Sequence, residues 1–392
     1  MSASTGPKDS VMGRRSLTDF RWSRAHPSAS LYRRLPAPHD RGYMTRWTVD
    51  SQGRLTSALT DCLSAAAAAP SIHNTQPWRF DVHDEQIDVY ADRLRQLDVL
   101  DPTGRELFIS VGAAVLNLRV AVLAHGRQTV FEPFPEPGRP DLAARITVGR
   151  PEPAPYVARQ LAWAISQRHT NRHPFGKAVI PDEVQAELRA AAEVEGGELF
   201  FADRPLNQAI LSTVRTAHNR QRADIDYLLE LAAWTRPGRG RRDGVPASAY
   251  APPDVDERIP LRDFGLAYPA RMAWPAVFED DPTVAVLYTD SDSLRSWLAA
   301  GQALERVLLT ATLRRVQATP MTQPLEFPEL RMLFDDIARG RVAQVILRLG
   351  YAPESVATPR RAVSELLVNG LALLLPWRNE AVPCEEAVPC EG

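Results

Sequence analysis

Pro70-Ser71-Ile72-His73-Asn74-Thr75-Gln76-Pro77-Trp78-Arg79-Phe80 follows directly on the alanine-rich stretch Ser64 to Ala69. Alanine favours helix, and Pro70 should end it, because proline has no N–H to donate and clashes with the preceding turn. The short side chains of Ser71, Asn74 and Thr75 can then bond their own backbone or reach a ligand held against it. Pro77 pushes Gln76 into an extended conformation and feeds a strand predicted over Trp78 to Val82. Two readings stand at this level: a capped helix-to-strand turn, and a ligand-binding loop.

A second polar segment, Arg168-His169-Thr170-Asn171-Arg172-His173-Pro174-Phe175, follows a helix predicted over Pro155 to Gln167. Two guanidiniums four residues apart with a hydroxyl between them can converge on one dianionic phosphate through charge-assisted hydrogen bonds. The alternative is a solvated basic turn. His169 and His173 have the spacing of zinc ligands on a helix, but no Glu adjoins His169 and Pro174 ends any helix there, so no metal is expected.

The first segment resembles the P-S-x-x-N-x-Q-P-W signature of the FMN-dependent nitroreductase family, and the second resembles that family's R-x-S-x-R/K phosphate motif. The resemblance implies that Pro70, Ser71, Asn74 and Gln76 lie against the flavin ring and ribityl chain. It likewise implies that Arg168, Thr170 and Arg172 hold the phosphate, with His169 in place of a second basic residue. A single nitroreductase fold would carry the phosphate motif first, whereas here it comes about a hundred residues later. Internal duplication accounts for this order. The helix predicted from Gly112 to Gly126 superposes in pattern on that from Gly301 to Arg315, each opening on glycine with similar apolar spacing. Strands are predicted at Ala144 to Val148, Thr283 to Thr289 and Val342 to Leu349.

The chain resembles most the Acg-like group of this family, over roughly residues 54–365. The matching fragments include Asp101 to Leu107, Leu347 to Tyr351 and Thr358-Pro359-Arg360-Arg361. The implied fold is α+β, a nitroreductase-like fold in which two fused halves mimic the family homodimer. The halves are expected at 46–150 and 151–378, with terminal extensions at 1–45 and 379–392. A lid insertion is expected at about 219–281, beginning with a helix over Asp224 to Trp234 and continuing through the arginine- and glycine-rich run after Arg236. The resemblance also places Pro320, Met321 and Thr322 beside the ring and Arg360 or Arg361 at the phosphate. Where the family has Gly-Leu after the second long helix, this chain has Arg315-Val316, so Arg315 must avoid the left-handed region or be strained in it.

Composition sets further bounds. With 392 residues, 44% hydrophobic and 24% charged, the chain can fill two cores, and a net charge of -2 argues against a general nucleic-acid binder. No run suggests a membrane span or signal peptide, and a cytoplasmic protein is expected. Cys62 falls within the first helix and is expected to be a small buried hydrophobe, while Cys384 and Cys390 sit in the repeat Glu-Ala-Val-Pro-Cys-Glu of a short acidic tail. Met44 is a candidate translation start. Lysine occurs only at Lys8 and Lys177, so anion recognition must fall to arginine.

The expected activity is hydride transfer from NAD(P)H through FMN to a small nitroaromatic or quinone acceptor. The side chains supply position and charge, and none is expected to be catalytic itself. A flavin-sequestering protein whose lid blocks turnover shares every flavin contact, and a catalytically dead interaction module is the third alternative. A G-x-S-x-G elbow is missing, which disfavours hydrolase chemistry. The chain is expected to be a monomer with two-fold pseudosymmetry or a weak homodimer.

Overall fold

The computed structural model describes residues 47–48, 55–236, 238, 240–268, 274–335 and 340–368. The extensions expected at 1–45 and 379–392, with Met44, Cys384 and Cys390, lie outside them.

Among the described residues two antiparallel four-stranded sheets repeat one topology. The first half runs α1 (Ser57–Ala67), β1 (Trp78–His83), β2 (Gln86–Ala91), α2 (Arg105–Ala124), β3 (Arg127–Pro133), β4 (Leu142–Pro151) and α3 (Tyr156–Ile165). The second runs α4 (Asp182–Val194), β5 (Glu198–Phe201), α5 (Arg204–Ala223), α6 (Ile225–Thr235), β6 (Thr283–Thr289), α7 (Leu294–Leu313), β7 (Gln317–Pro320), α8 (Pro328–Asp335), β8 (Val342–Gly350) and α9 (Val363–Leu366). The strand orders are β1-β2-β4-β3 and β5-β6-β8-β7. In each half a long helix follows the second strand, and the last strand to form inserts between the second and third. Such a repeated order is what duplication predicts.

α1 shows why the opening stretch folds as it does. The Thr56 hydroxyl caps the helix by accepting from Leu59 N–H at 3.2 Å. Cys62, Leu63 and Ala66 are buried, and burial pushes the Cys62 thiol pKa up, as befits an inert core residue. The helix ends at Ala67, ahead of Pro70. Trp78 and Phe80 then alternate inward along β1 and are fully buried.

The halves meet where α2 crosses α7. Each helix has twenty residues and carries its glycine eighth, so Gly112 and Gly301 lie in mid-helix and do not open the helices as the sequence pattern suggested. A Cβ at Gly112 would sit 2.2 Å from Leu298 O, and one at Gly301 would sit 1.9 Å from Ile109 O. Ile109 and Leu298 each precede their glycine by three residues, so the contact is reciprocal, as across a two-fold axis. The chain makes this close approach with backbone alone. α2 also corrects the expectation that no segment could span a bilayer: it is long and apolar enough, with mean hydropathy 2.1, but 83% of that window is buried inside the protein.

Arg315 takes the strained alternative. Its φ is +58°, its N–H donates to Thr312 O at 3.0 Å, and Val316 N–H donates to Ala311 O at 2.9 Å, which together form a Schellman cap without glycine. At the matching end of α2 the cap residue is Gly126, φ +73°.

The insertion is larger than expected. β1 and β2 join through Asp84-Glu85 alone, whereas residues 202–282 separate β5 from β6. It therefore begins before α5, not near residue 219. It has its own apolar cluster, in which Tyr227, Leu231, Val245, Tyr250 and Phe264 pack on Leu97 and Leu100 of the first half. The Glu230 carboxylate fixes the contact by accepting from Val99 and Leu100 N–H, each at 3.0 Å.

Candidate functional site

The loop after α1 is strained where the signature lies. His73, Asn74 and Gln76 all have positive φ, 46°, 54° and 50°. Asparagine tolerates this region, but histidine and glutamine do so at a cost of order 1 kcal/mol or more each, and such strain collects at functional sites. Ser71 sets the curvature: its hydroxyl accepts from Gln76 N–H at 2.9 Å. The hydroxyl expected against a flavin is thus engaged in turn geometry.

Asn74 and Gln76 also depart from expectation. The Asn74 amide donates to Gly244 O at 2.9 Å and Pro359 O at 3.2 Å, while its oxygen accepts from Arg360 Nη1 at 3.0 Å. The Gln76 amide donates to Arg242 O at 2.8 Å and accepts from Arg361 N–H at 2.8 Å. Both side chains therefore tie together three segments distant in sequence: the loop, the insertion and residues 359–361. They are not free donors waiting for a ring.

Behind the loop the structure gathers a charged cluster. Arg168 Nη2 and Arg360 Nη2 donate to the same carbonyl, Ala68 O, at 3.1 and 3.3 Å, where the α1 dipole is negative. Arg168 Nε lies 3.3 Å from Glu305 Oε1 on α7, and both residues are buried. Burial pushes the Glu305 carboxyl up to about 7, against the pull of Arg168, Asn117 and Arg360. Burial and neighbouring Arg168 press the Arg360 pKa down. Arg168 Nε, Arg360 Nε and both Glu305 oxygens have no hydrogen-bond partner. Arg168 Nε and Glu305 Oε1 at least face each other as an ion pair, whereas Arg360 Nε is a buried donor with no such answer, and a buried donor of that kind marks a place where another polar group could sit.

The expected phosphate pair is divided. Arg168 belongs to this cluster, but Arg172 Nη1 donates to Ala249 O at 3.0 Å and its guanidinium lies 4.8 Å from the Phe264 ring centre. Arg172 is thus turned to the segment between β5 and β6. Beside it Arg262 pairs with Glu326 and donates to the Tyr227 hydroxyl at 3.0 Å; although burial works against its charge, Glu326 and Tyr227 keep it protonated. His73 meets Phe264 edge-on at 5.3 Å, and burial with Arg262 and Arg172 holds its pKa well below the usual range. Both its ring nitrogens are buried without partners.

For His169, expected as a second basic residue, burial, Arg168 and Arg360 lower the imidazole pKa below its ordinary value. Thr170 pairs with Ala318 beyond the edge of β7, and Asn171 N–H donates to Ala318 O at 3.0 Å. Thr170 and Pro320 line a cavity of only about 10 Å³, room for about one water. Met321 is fully buried among apolar side chains, and Thr322 meets Glu326 at 3.2 Å, so neither offers the open surface expected. Pro70 is half-buried behind α1. Arg361 donates through its guanidinium to Glu365 O at 2.8 Å and closes the rim.

Outside the rim, Arg95, Arg241, Arg242 and Arg361 line a depression of about 610 Å³ with Asp243 and Glu365. Asp243 pairs with Arg95 and, at 2.7 Å, with Arg241. Arg95 Nε donates to Thr75 O at 2.7 Å, so this latch fastens the insertion to the signature loop.

Sequence reasoning missed Glu305, Arg262 and Phe264. Glu305 had a signal: it follows Gly301 by four residues, which puts an acid on the helix face that meets α2.

No family model matches the chain. A Mycobacterium tuberculosis (strain H37Rv) protein, Rv3131, provisionally named an NAD(P)H nitroreductase, is 35% identical over 318 residues, which are 78% of this chain and 89% of that protein. A second protein of that strain, acg, with the same provisional name, is 29% identical over 79% of this chain and 95% of its own length. The solved FMN-dependent nitroreductase NfnB from Mycobacterium smegmatis, in complex with NADPH, overlies 53% of this chain and 97% of its own at 15% identity and a TM-score of 0.33, too slight a likeness to build on.

Proposed function

This chain belongs to the nitroreductase family, and on that premise we propose that it binds one FMN and oxidises NAD(P)H, passing the electrons to a nitroaromatic or quinone acceptor. The observation that carries the reading is the meeting of Arg168 and Arg360 at Ala68 O, with Arg168 Nε turned to Glu305 and Arg360 Nε buried without a hydrogen-bond partner. Two guanidiniums facing one carboxylate leave a positive charge for a phosphate to complete. The bound flavin would supply the two-electron chemistry. Arg168 and Arg360 would hold its phosphate end. Asn74 and Gln76 would order the rim, and the apolar insertion would exclude water.

A second reading, a flavin store, is favoured by the latch and by the commitment of the Asn74 and Gln76 amides to lid carbonyls. Both readings share the flavin and differ in turnover.

The test begins with the visible spectrum of purified protein and the flavin released by heat, expected at about one FMN per chain. Arg360→Ala should weaken FMN binding by about 1.5–3 kcal/mol while leaving riboflavin, which lacks the phosphate, unchanged. Equal loss for both ligands would refute the phosphate role. Anaerobic reduction by NADPH or NADH then separates reductase from store, since a store leaves the flavin oxidised.

A further inference from the structure

Glu305 has no place in the chemistry proposed above. It is a carboxylate with 0% exposure in the middle of α7, at the interface of the two halves, and Arg168 Nε at 3.3 Å is the charge that answers it. Burying such a group is costly unless a specific charge answers it.

The groups that face it come from every neighbouring element that contributes a polar side chain. α2 supplies Asn117, whose amide donates to Ala65 O at 3.1 Å. The segment after α3 supplies Arg168, 3.3 Å away, with His169 next to it in the chain, its pKa lowered by burial and by Arg168 and Arg360. Residues beyond β8 supply Arg360, which shares Ala68 O with Arg168. The cluster thus holds two guanidiniums and a single carboxylate.

We propose that Glu305 is the internal counter-ion of the flavin phosphate site and takes up one proton when a phosphate monoester binds Arg168 and Arg360. This rests on the phosphate reading above. The physical reason is competition for the same charge. With the site open to no anion, ionised Glu305 answers Arg168. A dianion brought against the two arginines raises the energy of a carboxylate buried beside them, and protonation removes that repulsion. The proton comes from solvent, and the product is a neutral carboxylic acid beside an arginine-bound dianion. Burial already brings the carboxyl up to about 7, so the uptake falls in an accessible range.

The sign follows. Because the bound state holds the extra proton, FMN affinity should fall as pH rises above about 7, approaching tenfold per unit. The phosphate, with a second pKa of about 6, stays dianionic throughout that range and contributes no slope. Glu305 acts through Arg168 and is a positioning residue.

The experiment measures FMN released by dilution of the full-length protein, through recovered flavin fluorescence, from pH 7.0 to 8.5. The expected result is a wild-type Kd that rises with pH, a flat Glu305→Gln profile, and riboflavin binding that is flat for both. A pH-independent wild-type Kd, or a slope retained in Glu305→Gln, overturns the proposal. Should Glu305→Gln fail to fold, indicator-dye measurement on wild type at pH 8 decides: uptake approaching one proton per FMN rebound supports it, and none overturns it. A protein that holds no FMN at any pH overturns the phosphate reading itself, an outcome distinct from FMN bound without a pH slope.

Discussion

Arg315 and Gly126 close equivalent helices in the same left-handed cap, and only one of them is glycine. A non-glycine residue in that region costs about 1–2 kcal/mol, while glycine loses roughly 0.5–1 kcal/mol through its freer unfolded chain. Arg315 is exposed, so little is lost with its side chain. Arg315→Gly is therefore expected to stabilise the protein by roughly 0.5–1 kcal/mol, read from chemical denaturation. A loss of stability would show that the arginine makes a contact worth more than its strain. The same balance tips differently at His73, Asn74 and Gln76. There three departures from ordinary backbone geometry within four residues are kept in place by hydrogen bonds to Gly244, Pro359, Arg242 and Arg361. The signature loop keeps its shape because distant segments hold it, so removing those segments should relax it.

The segment between β5 and β6 is fastened by Glu230 on Val99 and Leu100 and by the Arg95–Asp243–Arg241 latch, besides the bonds from Asn74, Gln76 and Arg172 to its carbonyls. The latch is partly exposed, so solvent screening limits its strength to about 1 kcal/mol. Asp243→Asn should then raise the open population about fivefold, speeding both NAD(P)H-dependent bleaching in stopped flow and FMN release. Unchanged rates would mean that the apolar cluster and the remaining hydrogen bonds hold the segment without the latch. How far these elements can be read from sequence depends on the range of their causes. β6 is a largely apolar run and β8 one interrupted by Gln344 and Arg348, and both declare themselves locally, as do the apolar patterns of α2 and α7. β5 and β7 have four residues each, too few for alternation to register. Charge and spacing read Arg168 and Arg172 alike. They do not separate the two, because the direction of Arg172 is set by Ala249 and Phe264, and nothing near Arg172 in sequence encodes that contact.

One chain here does what a symmetric dimer would do with two, and the crossing of α2 and α7 is where the halves are joined. The two halves have since diverged around it. The connection from α1 to β1 spans residues 68–77 and carries the signature loop, whereas the connection from α4 to β5 is only Glu195-Gly196-Gly197. Counting from the shared glycine, the place of Glu305 on α7 is taken on α2 by Leu116, which is also fully buried. A second site would need such a loop from the second half and a counter-ion from α2 of the first, and the short Glu195-Gly196-Gly197 connection and Leu116 stand there instead, which is why one FMN per chain is expected. The crossing itself leaves no room for change. A methyl group at residue 301 would meet a backbone carbonyl at 1.9 Å, and at residue 112 another at 2.2 Å, and backbone cannot rotate aside as a side chain can. Gly301→Ala must push apart two helices that are buried along most of their length. It should cost more than about 3 kcal/mol of stability, beyond the usual penalty of overpacking, and lower FMN affinity as well, because Glu305 lies one turn further along the displaced helix. Unfolding in denaturant together with flavin release would measure both. A variant as stable as wild type would mean that the helices do not approach this closely, and the account of how the halves are joined would fail with it.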